Sequence, residues 1–184
     1  MNTTYLLLGA VVLLAVYVVA TYNDFVVLMA RINEALSGID VQLKRRADLI
    51  PNVVETVKGY AKHEKSVFES VTKARSALMK ADTLADKAKA NEMISSSLKS
   101  LFAVAEAYPQ LQSSQNFQQL QRQLEDTEDK VAYSRQFYNS NALDYNTKTQ
   151  VFPTNVIANV FGFKKVEFFQ ATADERKSVK VNFD

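Results

Sequence analysis

Residues Tyr5 to Ala20 read YLLLGAVVLLAVYVVA, a run in which Gly9 alone interrupts bulky apolar side chains, and no charged side chain occurs from Met1 to Asn23. A helical rise of about 1.5 Å per residue carries Thr4 to Tyr22 across about 28 Å, close to the roughly 30 Å of hydrocarbon in a bilayer. Residues 4–22 are therefore predicted to form a single transmembrane helix. Its lipid-facing and edge positions are Tyr5, Leu6, Leu7, Leu8, Val11, Val12, Leu13, Leu14, Val16, Tyr17, Val18, Val19 and Tyr22. Tyr5 and Tyr22 fall at the two ends, where a ring with a polar tip prefers the headgroup level. A cleaved secretory signal is the rival reading, since Val18 and Ala20 resemble the small residues before a cleavage site. Two features favour a retained anchor: no Lys or Arg precedes the apolar run, and a helical pattern continues past Ala20 without a break. Arg31, Lys44, Arg45 and Arg46 all lie downstream, so the rest of the chain is expected in the cytoplasm with the N-terminus outside.

Beyond the span, Phe25, Leu28, Ile32, Ala35 and Ile39 recur at helical spacing, flanked by Met29, Leu36, Leu43 and Ile50. No proline intervenes before Pro51, so anchor and first helix read as one rod. Pro51 disfavours helix at Ile50, and Asn52 followed by Glu55 resembles a capping box, which predicts a new helix there. That second helix carries Val53, Val57, Tyr60, Val67, Val71, Ala74 and Leu78 and ends near Lys80. Asp82 is expected to cap a third helix with Ile94, Leu98, Leu101, Ala105 and Tyr108 on one face, stopped by Tyr108-Pro109. Ser113 or Ser114 is expected to cap a long fourth helix whose coiled-coil-like seam runs Phe117, Leu120, Leu124, Thr127, Val131, Ser134, Tyr138, Asn141, Tyr145, reaching about Thr149. Phe152-Pro153 closes it, leaving a helical turn near Asn155 to Val160 and extended-looking sequence beyond.

Short connectors imply antiparallel neighbours. The expected fold is all-α: a transmembrane helix at 4–22, an antiparallel up-and-down four-helix bundle over 23–152, and an aromatic and basic tail at 153–184. With about 35 residues the fourth helix spans about 50 Å, against about 40 Å for the first beyond the lipid, so its end and the tail should return to the bilayer surface.

The segment IDVQLKRRADLIPNVVETVKGYAKHE, from Ile39 to Glu64, resembles the hallmark of the LemA family. So do AYPQL from Ala107 to Leu111, NFQQLQRQLEDTEDKVAYSRQFYN from Asn116 to Asn139, DYNTK from Asp144 to Lys148, FPTNVIANVFGFKK from Phe152 to Lys165, and the closing VNF. The resemblance covers essentially the whole chain in order. It implies a short outer N-terminus, one membrane helix and a cytoplasmic helical bundle. It also implies no established enzymatic activity, no catalytic set to transfer, and company with membrane metalloproteases.

Composition narrows the chemistry. The 184 residues include 22 basic and 20 acidic side chains, net +2, so no field is present that would gather nucleic acid. Four glycines and three prolines favour long helices over a sheet. Zero cysteines exclude disulfides, thiolate metal sites and a cysteine nucleophile, and the single histidine excludes multi-histidine metal centres. No catalytic residue, metal site or cofactor is expected. His63-Glu64 lacks the second histidine that a zinc-protease helix needs, Val67 standing there instead. Glu125, Asp126, Glu128 and Asp129 spread around a helix and read as a solvated charged face beside Arg122 and Lys130, rather than as a cation site. Lys44-Arg45-Arg46 lies about 35 Å beyond Tyr22, several Debye lengths away, so pairing with Asp40, Asp48 or other acids is favoured over lipid headgroups.

Two groups remain as candidate interaction sites. Thr127, Ser134 and Asn141 are polar seam positions seven apart, which weaken a core but fix register, either within the chain or against a second subunit. Phe161, Phe163, Lys164, Lys165, Phe168 and Phe169 interleave aromatics with cations, as headgroup-docking and partner-docking surfaces do. The expected function is that of a non-enzymatic, membrane-anchored scaffold, self-associating and open to a membrane-protein partner. The alternatives are a ligand- or metal-binding accessory or sensor bundle, for instance a partner of a membrane protease, with Glu64, Tyr138 or Tyr145 turned inward, and a secreted bundle after signal cleavage.

Overall fold

The computed structural model describes residues 2–170. The closing VNF and the rest of the predicted tail from residue 171 lie outside them. Every regular element among the described residues is a helix: α1 Asn2–Lys58, α2 Lys65–Met79, α3 Leu84–Glu106, α4 Pro109–Gln112, α5 Gln115–Lys148 and α6 Thr154–Phe161. Among the described residues the regular structure is thus all helix, with one long helix whose N-terminal stretch is apolar enough to cross a membrane and is not buried against the rest of these residues.

The expected break at Ile50-Pro51 does not occur. α1 runs through Pro51 to Lys58, with Ile50 only 1% exposed. Proline withholds the N–H that would bond the carbonyl four residues back, here Ala47. The Arg75 Nε of α2 donates to that oxygen at 2.9 Å, so the carbonyl freed by Pro51 is satisfied from a neighbouring helix. Arg75→Met is accordingly expected to destabilise the chain by about 1 kcal/mol, and by much less in a Pro51→Ala background, where the helix supplies its own donor. Equal losses in both backgrounds, measured by chemical denaturation, would discard this account.

Because helix continues past Pro51, Asn52 and Glu55 do not form a cap. Asn52 gives its carbonyl to Thr56 Oγ1 at 2.7 Å, and Glu55 pairs with Lys58 at 3.0 Å. The chain turns instead between Gly59 and Glu64, where the Ala61 N–H bonds Val57 O at 2.9 Å. This moves Tyr60, expected on the seam, out to an exposed position, and moves His63-Glu64 from a helix into a turn. Thr83 rather than Asp82 caps α3: its Oγ1 accepts the Asp86 N–H at 3.1 Å and donates to Asp86 Oδ2 at 2.6 Å. The connector expected after Tyr108-Pro109 contains the short α4, opened by Pro109 and seated by the fully buried Leu111. Ser114 directly precedes α5 and its carbonyl accepts the Gln118 N–H at 3.1 Å.

The chain divides into two compact units. The first combines Met1–Gly38 with Arg135–Phe168, around Phe25, Ile32, Tyr138, Ala142, Tyr145 and Ile157. The second is built on Ile39–Ser134, around Ile39, Leu43, Ile50, Val53, Val71, Ile94, Leu101 and Val131. α1 and α5 contribute residues to both.

Candidate functional site

In the first unit the residues after the apolar stretch form an aromatic cluster. Phe25 is fully buried, stacked on Phe163 with ring centroids 4.7 Å apart and met edge-on by Tyr145 at 5.8 Å. Tyr22, at the predicted lipid edge, meets Phe161 edge-on at 5.0 Å and Phe163 at 5.5 Å. Lys148 lies 5.8 Å over the Phe25 ring and pairs with Asp24 at 2.6 Å, tying the end of α5 to α1 by a cation that serves both partners.

The tail reaches this cluster through one backbone turn. Gly162 adopts a left-handed conformation, φ 76°, at the end of α6, and the Phe163 N–H bonds back to Ala158 O at 2.9 Å. Only glycine takes that geometry without strain, and it reverses the chain so that Phe163 folds onto Phe25. The tail then lies along α5. Asn146 grips Val166 through both amide atoms, each bond 2.9 Å, and Tyr138 Oη donates to Glu167 O at 2.8 Å. Of the predicted tail residues, Phe163 is half-buried and Phe169 buried, while Phe161, Lys164, Lys165 and Phe168 are exposed.

Two tyrosines in this unit differ in what holds them. Burial pushes both phenols above their ordinary value, Tyr138 with added help from the Glu167 charge, yet Tyr145 Oη has no hydrogen-bond partner among the described residues. A buried hydroxyl left unmade contributes nothing and costs its lost hydration. Tyr145→Phe is therefore expected to leave the midpoint of thermal unfolding unchanged or raised, whereas Tyr138→Phe frees the Glu167 carbonyl and lowers stability by about 1 kcal/mol. Because the Tyr138 phenol is raised, the contribution of its bond is complete below pH 10, the unperturbed value, and is lost as pH climbs through the folded-state value.

The second unit holds a buried cation. Arg46, 1% exposed, donates from Nη1 to Asn91 Oδ1 at 2.6 Å and from Nη2 to Ser95 Oγ at 3.0 Å and Glu128 Oε2 at 2.5 Å. Ser95 Oγ donates on to Glu128 Oε1 at 3.0 Å, closing a ring that joins α1, α3 and α5. Burial pulls the guanidinium below its ordinary value and the Glu128 charge works the other way. The group stays cationic all the same, because arginine is not deprotonated in proteins. Several of the other basic and acidic candidates have partners of their own. Lys44 pairs with Asp48 at 2.7 Å, Lys87 with Asp40 at 2.6 Å, and Lys130 with Asp126 at 2.8 Å. That last bond holds the exposed Asp126 carboxyl below its usual range. Glu125 accepts from Gln121 at 3.2 Å, so Glu125, Asp126 and Glu128 of α5 each face a different partner.

Thr127 is fully buried and gives its hydroxyl to Gln123 O at 2.6 Å, leaving no surface for a second chain. Asn141 is buried and donates to Phe137 O at 2.8 Å, while Ser134 is half-buried. Glu64 immediately precedes α2 in the second unit, and Tyr138 and Tyr145 belong to the first. Of the predicted lipid-facing positions, Val18 is half-buried and the others, from Tyr5 to Tyr22, are exposed, Leu6 and Leu13 at 72%.

Comparison with known proteins places these features in a family: the model of the LemA family matches residues 35–183. The chain belongs to the LemA family. Its relatives include the protein LemA of Metamycoplasma hominis, 30% identical over 151 residues that cover 80% of this chain and 68% of that protein. The magnetosome protein MamQ of Magnetospirillum gryphiswaldense is 28% identical over 174 residues, 80% of this chain and 64% of its own length. MamQ 2 of Paramagnetospirillum magneticum is 27% identical over 175 residues, 81% and 64% respectively. The chain thus spans a little under two thirds of the MamQ proteins. The LemA match includes Arg46, Asn91, Ser95, Glu128, Tyr145 and Phe163, and begins downstream of the apolar span, Tyr22 and Phe25.

From sequence, Arg46 is expected to pair with an acid, but neither its burial nor its ring with Asn91, Ser95 and Glu128 is foreseen. Arg46 sits in phase with Ile39, Leu43, Ile50, Val53 and Val57, and Asn91 in phase with Ile94, Leu98 and Leu101, so each is a polar residue on an apolar stripe. Two such intrusions on different helices were the available signal for a buried pair.

Proposed function

We propose that this LemA-family chain is a non-enzymatic, membrane-anchored interaction protein. Residues 4–22 span the bilayer with the N-terminus outside, and α1 beyond Tyr22, α2, α3 and α5 form a cytoplasmic up-and-down four-helix bundle that self-associates and offers a scaffold to a membrane protein. The observation that carries this reading is the continuity of α1. An apolar stretch with no residue buried from Tyr5 to Ala20 passes, without a break in the helix, into a stripe packed as tightly as Phe25 and Ile39. Such a surface is tolerated in lipid and not in water. The basic residues downstream of the span support the orientation. The mutual use of both Arg46 Nη atoms, Asn91, Ser95 and Glu128 in one hydrogen-bonded ring supports a structural rather than a chemical task for the second unit.

Carbonate extraction of native membranes tests the anchor. The chain is expected in the pellet, and Leu13→Arg combined with Val16→Arg, at about 3 kcal/mol per charge near the helix centre, is expected to move most of it to the supernatant. Parent chain in the carbonate supernatant refutes the anchor. Particle mass in mild detergent then tests self-association: a mass of one chain with no co-purifying protein ends the scaffold reading.

A further inference from the structure

α6 has too much apolar surface for a helix in water. Ile157 and Ala158 face the protein and are buried, yet Val156 and Val160 on the remaining circumference are 52% and 73% exposed, and Phe152, just before the helix, is 82% exposed. Val156 and Val160 are four residues apart and share a face, with Phe152 another four back along the chain. Apolar residues on both sides of a short surface helix mark a surface that another phase covers.

The position of α6 identifies that phase. Phe161, its last residue, lies 5.0 Å from Tyr22 between ring centroids, and Phe163, just past it, lies 5.5 Å from the same ring. Tyr22 ends the predicted span, so one end of α6 stands where α1 emerges from hydrocarbon. Lys164 and Lys165 follow at once and are exposed, setting two cations where anionic headgroups lie. An apolar face, adjoining cations and contact with the end of a membrane helix are the features of an interfacial element.

We propose that Phe152, Val156 and Val160 insert into the headgroup–acyl boundary of the leaflet at Tyr22, so that the chain holds the bilayer at two places, by α1 across it and by α6 along its surface. This rests on residues 4–22 spanning the membrane. Because the chain has no cysteine, one introduced thiol carries one label. The full chain is reconstituted in vesicles of phosphatidylcholine and phosphatidylglycerol, with a nitrobenzoxadiazole label on Val160→Cys, on Val12→Cys inside the span, or on Ser140→Cys on the exposed side of α5. Quenching is then measured with lipid carrying doxyl near the headgroup for 160 and 140, and with lipid carrying it midway along or at the end of the acyl chain for 12. The expected result is several-fold stronger quenching at 160 than at 140, with strong quenching at 12. Quenching at 12 but not at 160 overturns the inference and leaves the anchor standing. A label at 160 shielded from both aqueous iodide and doxyl lipid also overturns it, since protein then covers the face. Absence of quenching at 12 removes the span and this inference with it. Val160 is 73% exposed and takes no part in the protein core, so the labelled variants are expected to keep the parent's helical circular dichroism.

Discussion

Phe25→Ala is expected to lower the stability of the first unit by about 3–5 kcal/mol, the range for removing a fully buried aromatic side chain. Three separate elements lean on this ring: Phe163 of the tail stacks on it, Tyr145 of α5 meets its edge, and Lys148 lies over its face. Truncation opens a cavity that a chain reversed through Gly162 cannot readily fill, so Phe163 should leave its place and the tail should loosen from Asn146. Denaturant titration in detergent reads the first effect, and faster tryptic cleavage after Lys164 and Lys165 reads the second. Phe25→Leu, which keeps most of the apolar area and loses the ring pairings, is expected to cost only about 1 kcal/mol. A Phe25→Ala variant as stable and as protease-resistant as the parent contradicts this packing account.

Glu128→Gln is expected to cost about 2 kcal/mol, although the substitution keeps the shape of the side chain and one acceptor oxygen. It leaves the Arg46 charge buried without a counter-charge. For a fully buried pair the loss is about 3–5 kcal/mol, but the Glu128 side chain is 53% exposed, and water takes up part of the deficit. The stem of Arg46 is buried as well, so Arg46→Met can fill the same space without a charge to solvate. In a Glu128→Gln background, Arg46→Met is expected to recover most of the lost stability, giving a coupling free energy well above the few tenths of a kcal/mol seen for independent sites. Additive losses across that four-member cycle mean that Arg46 and Glu128 do not act as a pair.

Much of this chain could be read from local pattern. Spacing alone places Phe117, Leu120, Leu124, Thr127, Val131, Ser134, Tyr138, Asn141 and Tyr145 on one seam of α5, and all are buried except Leu120 and Ser134, which are half-buried. The apolar run from Tyr5 was equally plain. The misreadings share one cause. Asn52 and Glu55 after Pro51 looked like a helix start, and Asp82 looked like a cap, because each has the right residue type at the right place. Pro51 is accommodated by Arg75, 28 residues from the carbonyl it satisfies, and Thr83 wins the cap through its own reciprocal bonds with Asp86. The triplet Lys44-Arg45-Arg46 read as one charged cluster, yet its members diverge: Lys44 stays on the surface with Asp48, whereas Arg46 turns inward to Glu128, 82 residues away.

By itself the sequence determined the helical class, the apolar span and the buried stripe of each long helix, because the burial of a side chain on a helix follows a period of 3.6 residues that is written locally. The tertiary structure alone decided that α1 survives its proline, that Arg46 is a buried link between three helices, and that Phe161 and Phe163 close on Tyr22 and Phe25. Those outcomes depend on which distant side chain arrives to satisfy a freed carbonyl, a buried charge or an open aromatic face, and local periodicity holds no information about that arrival.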